Sequence, residues 1–154
     1  MTTNKDSFKD AITYAISNEV DAYEFYRNAA KKITSDKNLA DTFEELAAEE
    51  QKHRDFLQDY LVGDIPEFQL DDFDDYHVSE SVESPKLSTE MKFVDAIALA
   101  MKKEEEAMNM YKKFALATTD DRQKKLFSDL SRMEEMHKVK LEKIYVNSAF
   151  GEVW

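Results

Sequence analysis

The chain contains no cysteine. That absence excludes disulfides, thiolate nucleophiles, thiolate-bound zinc and iron–sulfur clusters, so any metal must be held by nitrogen and oxygen. Glycine and proline are scarce, with two of each in 154 residues, which disfavours a turn-rich β fold and leaves long helices as the default. With Gly63 and Gly151 as the only glycines, there is no phosphate-cradling loop, no dinucleotide fingerprint and no Gly-x-Ser-x-Gly nucleophile elbow. No apolar run approaches the roughly 20 residues of a membrane span. The start, Met1-Thr2-Thr3-Asn4-Lys5-Asp6, has no apolar signal-peptide core, so the cytoplasm is the expected location and no membrane is expected as a partner.

Positive charge is in short supply as well. Twenty-one Lys and Arg face 33 Asp and Glu, a formal net charge of −12, which argues against a nucleic-acid partner because phosphate backbones are bound by clustered Lys and Arg. Much of the excess is local: residues 64–90 hold nine Asp or Glu against the single Lys86. That segment reads as a solvated connector, with attraction of cations or docking of an electron donor as the lesser reading. His77 lies within it among Asp residues and reads as solvated rather than ligating.

What the chain does have is 42% hydrophobic and 35% charged residues, enough for one domain over residues 1–154 with a single substantial core. Four helices are expected, at about 7–33, 37–62, 91–117 and 121–146. Ser7 and Asp10 form a capping pair for the first, and Thr34-Ser35-Asp36 and Thr118-Thr119-Asp120 break the two pairs. Gly63 supplies a stop after the second helix. Short links make each pair antiparallel. The long 64–90 segment, with Pro66 and Pro85, then becomes a crossover that lets the second and third helices run parallel. A helix of about 27 residues is roughly 40 Å long at 1.5 Å per residue, a distance that a connector of this length can cover. The tail from Asn147 to Trp154 is too short for a fifth long helix, and Phe150, Val153 and Trp154 are expected to pack back on the bundle. The expected fold class is therefore all-α, a four-helix bundle of two antiparallel pairs.

The two halves repeat. Phe8, Ala11, Ile12, Glu19, Ala22 and Tyr26 recur 85 residues later as Phe93, Ala96, Ile97, Glu104, Ala107 and Tyr111. Phe43, Leu46, Glu50, His53 and Leu57 recur 84 residues later as Phe127, Leu130, Glu134, His137 and Leu141. On the first helix, the positions three, four and seven from Glu19 are Ile12, Ala15, Ile16, Ala22, Tyr23 and Tyr26, an apolar stripe. Around Glu104 they are Ile97, Ala100, Met101, Ala107, Met108 and Tyr111, which selects Glu104 as the inward member of the run Glu104-Glu105-Glu106. A Glu and a His three apart project from one helical face, close enough to bind the same ion, and Glu49 and Glu135 are then turned outward. Four carboxylates in one apolar core would be intolerable without compensation. Two divalent cations would balance four Glu, with two neutral imidazoles completing the set.

One Glu from each of two helices plus Glu-x-x-His from each of the other two is the pattern of ferritin-like di-iron and di-manganese proteins. With Glu19-x-x-Ala22-x-x-Phe25-Tyr26 similar to the first helix of that family, the sequence resembles a rubrerythrin-type member of the ferritin-like superfamily over residues 7–146. The resemblance implies that Glu50 and Glu134 bridge two metals, that Glu19 and Glu104 are terminal, and that His53 and His137 each cap one ion. Oxygen-rich ligation with two imidazoles suits Fe or Mn, with Zn able to occupy the site, and two Fe ions are the first choice. Tyr26 and Tyr111, two turns from the terminal Glu, are core aromatics or hydrogen-bond partners of ligating carboxylates. Met101, Met108, Met110, Met133 and Met136 read as packing.

The resemblance has two gaps. Rubrerythrins typically carry an extra Glu three residues after the third-helix ligand, where this chain has Ala107. Many also end in a rubredoxin-like iron domain held by four cysteines, of which this chain has none. The expected function is a di-iron centre reacting with H2O2 or O2, with electrons from an external donor protein and a homodimer as the assembly. Two alternatives remain open: ferritin-like iron oxidation and storage, and a non-enzymatic, metal-stabilised binding module.

Overall fold

A computed structural model describes residues 4–33, 36–61 and 93–151 of the chain. Four helices account for nearly all of them: α1 (Asn4–Lys32), α2 (Lys37–Leu61), α3 (Phe93–Ala117) and α4 (Asp121–Gly151). There is no strand among the described residues. The expected crossover, with His77, Pro66, Pro85 and Lys86, lies outside them, as do Gly63, Val153 and Trp154.

The breaks fall where expected, and both are made by an aspartate. Asp36 Oδ1 accepts the backbone N–H of Leu39 at 3.1 Å, and the Asp36 carbonyl accepts that of Ala40 at 3.1 Å. Asp120 Oδ1 accepts the N–H groups of Arg122 and Gln123 at 2.9 and 3.0 Å. Each Asp satisfies donors that the first helical turn leaves open, a contribution of about 1 kcal/mol per cap.

Two helix ends differ from expectation. α1 begins at Asn4, so Ser7 lies inside its first turns instead of capping it with Asp10. No Gly or Pro among residues 4–6 stops the helix from extending backwards. α4 runs on through Gly151, five residues past Val146, since Asn147 to Phe150 likewise contain no breaker. Residues 147–151 thus prolong α4, while the expected packing of the Phe150, Val153 and Trp154 side chains lies outside what is described.

The chain divides into two compact units, Met1–Gln69 and Leu70–Trp154. In the first, α1 and α2 run antiparallel. Phe8 meets Tyr60 with ring centroids 5.4 Å apart, Tyr26 meets Phe43 at 5.7 Å, and Arg27 Nη1 donates to Glu44 Oε2 at 2.8 Å. Their seam buries Ile12, Ala15, Tyr26, Phe43, Leu46 and Leu57. In the second, α3 and α4 are antiparallel too. Tyr111 stacks on Phe127 at 6.3 Å, and the Ser131 hydroxyl donates to the Met108 carbonyl at 3.0 Å. Ile97, Met101, Tyr111, Phe127, Leu130 and Leu141 are its buried counterparts. Fully burying side chains of this size contributes about 1.5–3 kcal/mol each, and this packing stabilises the helices far more than their intrinsic propensity does.

Candidate metal centre

Each unit assembles three potential ligands on its seam. In the first, Glu19 sits midway along α1, while Glu50 and His53 lie one turn apart on α2. All three are almost fully buried, and each offers one ligand atom within 4.8 Å of the other two. His53 Nδ1 stands 3.6 Å from Glu19 Oε2. In the second unit, α3 contributes Glu104 and α4 contributes Glu134 and His137, again buried and again with ligand atoms within 4.8 Å of one another. His137 Nδ1 is 3.6 Å from Glu104 Oε2 and 3.8 Å from Glu134 Oε2.

These separations are too long for hydrogen bonds and suit atoms that converge on a common ion. Two ligand atoms about 2.1 Å from one cation and subtending about 120° stand about 3.6 Å apart. The donor chemistry agrees: each unit presents two carboxylates and one imidazole, so one divalent ion would neutralise each triad when its histidine is neutral. Without a cation the cost shows at Glu104, whose pKa is raised well above the ordinary carboxylate value. Burial is the main cause, with repulsion from Glu134 and their side-chain hydrogen bond adding to it and His137 opposing it. A bound cation would reverse that balance.

The neighbouring acids are placed differently. Within the run on α3, Glu104 is buried, Glu105 is partly covered and Glu106 is exposed, with Glu105 3.8 Å from Lys102. On α2, Glu49 is exposed. On α4, Glu135 takes a hydrogen bond from Arg132 at 2.5 Å. Tyr26 and Tyr111 are completely buried inside aromatic clusters, Tyr26 against Phe25 and Phe43 and Tyr111 against Phe114 and Phe127. Of the methionines, Met101 and Met108 are buried, whereas Met110, Met133 and Met136 are only partly covered.

Sequence reasoning missed Ser131, Lys138 and Glu142, all buried on α4. With Glu134 they fall at spacings of three, four and four, one face of a helix. That spacing was readable, yet a Lys and a Glu four apart more commonly mark a solvated surface.

Two helix pairs, each with a buried Glu plus Glu-x-x-His triad, define the class as a ferritin-like, metal-binding helical bundle. The fold comparisons agree. The chain is similar to the dodecameric thioferritin described as the bacterioferritin-related protein from Bacteroides fragilis, with a TM-score of 0.72, 21% identity, and coverage of 97% of this chain and 90% of that one. It is similar to an uncharacterised conserved protein from Magnetospirillum magnetotacticum, with a TM-score of 0.67 and 21% identity over 89% of this chain and 92% of that one. A hypothetical protein from Pyrococcus furiosus matches with a TM-score of 0.66 and 25% identity over 91% of this chain and 89% of that one. Among curated proteins none matches.

The rubrerythrin family model matches residues 10–145, and the chain belongs to the rubrerythrin family. No rubredoxin domain is evident in its 154 residues, which contain no cysteine. Among the described residues, no helix is long and apolar enough to cross a membrane.

Proposed function

We propose that Glu19, Glu50, His53, Glu104, Glu134 and His137 act as one set, that the two helix pairs form a single domain, and that the set holds two iron ions which react with H2O2 or O2. The observation that carries this reading is the pair of buried triads, each with its donors spaced for a common cation. Family membership over residues 10–145, which spans both units, supports it.

The bound ions would supply the electrons that reduce the oxidant. The chain's own residues do the rest. As the family resemblance implies, Glu50 and Glu134 would serve as bridging ligands, Glu19 and Glu104 as terminal ones, and the imidazoles of His53 and His137 would each complete one set. A carboxylate can bind through one or two oxygens, so the four Glu can follow a change of metal charge without moving a helix. Tyr26 and Tyr111, buried two turns beyond the terminal Glu, exclude water and orient ligating carboxylates through their hydroxyls. An external protein returns electrons, since the chain has no dinucleotide or iron–sulfur motif of its own. The protein acts in the cytoplasm as a homodimer or larger assembly.

Protein reconstituted anaerobically with Fe(II) is expected to show a rapid absorbance change on adding H2O2 or O2. Glu50→Ala reacting just as fast would sink the proposal. A second reading, iron oxidation and storage, draws on the likeness to the dodecameric, bacterioferritin-related protein. Light scattering and iron loading separate the two: a dimer that retains two irons per chain favours oxidant chemistry, and a large shell that retains many more favours storage.

A further inference from the structure

The triad of the first helix pair has almost no contact with solvent. Glu19, Glu50 and His53 are exposed by 2% or less, so a hydrated cation meets none of them directly. One acid beside the triad does reach water. Glu49 is exposed, yet it offers a carboxylate oxygen within 4.8 Å of a His53 ring nitrogen.

Helix geometry explains how. At about 100° per residue, His53 lies about 40° around α2 from Glu49 and about 60° from Glu50 on the other side. The imidazole therefore stands between a carboxylate that faces solvent and one that is buried on the seam. Glu45 and Lys52, one turn before and after Glu49, are exposed as well, but they fall about 80° and about 100° from His53. Glu49 is the exposed charge in line with the imidazole.

The second pair is built differently at the matching place. Eighty-four residues after Glu49 stands Met133, partly covered. A thioether is a soft donor, suited to Cu(I) rather than to hard divalent ions, which favour carboxylate oxygen.

We propose that Glu49 is an entry ligand: its carboxylate takes a hydrated divalent cation from solvent, shares it with His53, and passes it on to Glu50 and Glu19. The inference rests on reading Glu19, Glu50 and His53 as metal ligands. Such a handover replaces bound water one ligand at a time, which favours ions that dehydrate reluctantly. Because Glu49 acts on the path and not in the resting site, its loss slows entry and exit equally and leaves affinity unchanged.

The test is stopped-flow mixing of the full-length metal-free protein with Co(II), free ion being read by a chromophoric indicator and release being measured into excess chelator. E49Q keeps the size of an exposed side chain and removes its charge, so the fold is preserved. At least one phase of uptake is expected to slow by about tenfold, the low end of what local charge contributes to arrival rates. Release should slow by the same factor, leaving the equilibrium affinity as in the wild type. E45Q, with the same loss of charge one turn away, should leave both rates unchanged. If the wild type binds no Co(II), the metal-ligand reading itself fails. If it binds, and E49Q takes up the ion as fast or E45Q slows uptake as much as E49Q does, that reading stands and the entry role is overturned. Weaker affinity in E49Q, with release faster instead of slower, would make Glu49 a ligand of the resting site and overturn the entry role too.

Discussion

The two helix pairs carry the same Glu plus Glu-x-x-His triad but bury different company around it. Among the described residues of the α1–α2 unit, the buried polar or charged side chains are Glu19, Glu50 and His53. The α3–α4 unit buries Glu104, Glu134 and His137 and adds Ser131, Lys138 and Glu142, where α2 has Ala47, Arg54 and Gln58. The aromatic seams diverge as well: Tyr26 meets Phe43 edge-on at 60°, whereas Tyr111 lies at 25° to Phe127. What is held constant between the halves is the triad geometry, with 3.6 Å both between His53 and Glu19 and between His137 and Glu104. What varies is which polar side chains share the buried face of the second helix in each pair.

Removing a proposed bridging carboxylate is the harshest way to break this comparison. Glu50→Ala and Glu134→Ala should each reduce affinity for both ions by more than about 100-fold, beyond what is typical when only a supporting hydrogen-bond partner of a ligand is lost. Equilibrium dialysis with metal quantification would read it. Loss of one ion with the other retained would show that the triads work separately.

Next in size are the aromatics. Truncating either fully buried Tyr26 or Tyr111 to Ala should destabilise the protein by about 3–5 kcal/mol, the range for large aromatic cavities, as measured by urea unfolding. A clear difference between the two would show that edge-on and stacked seams are not energetically equivalent.

A third effect is pH-dependent. Because the folded-state pKa of Glu104 is raised, the metal-free protein loses stability as pH rises from the unfolded carboxylate pKa through the raised folded value, and regains it on acidification across that window. Glu104→Gln should therefore raise the melting temperature of the metal-free protein at neutral pH and flatten this dependence, while weakening metal binding. Thermal unfolding across pH in chelator would check both signs.

The smallest effects lie at the helix starts. Asp36→Ala and Asp120→Ala should each cost about 1 kcal/mol. Asp120→Ala should cost more, since its Oδ1 accepts two backbone N–H groups where one bond from Leu39 is recorded for Asp36. Chemical denaturation of the two variants side by side would resolve the difference.

Much of the fold was legible because it depends on periodicity. The recurrence of Phe, Ala, Ile, Glu and Tyr at fixed offsets identified two equivalent helix pairs, and the breaks at Asp36 and Asp120 followed from their capping chemistry. Choosing Glu104 over its neighbours required only the apolar character of positions three, four and seven away. Helix ends were less legible: α1 and α4 extend into residues whose propensity neither demands nor forbids helix, so periodicity alone does not mark where they begin or stop. Lys138 and Glu142 were not legible because a charged pair at i and i+4 has the same pattern whether it faces solvent or the core.

The central claim is that two separate triads function together as one two-ion site. Its most direct test is to count iron per chain by mass spectrometry after anaerobic Fe(II) reconstitution and gel filtration, in the wild type and in Glu50→Ala. The account predicts two ions per chain in the wild type and fewer than one in the variant. One ion in the wild type, or two retained in Glu50→Ala, would contradict it.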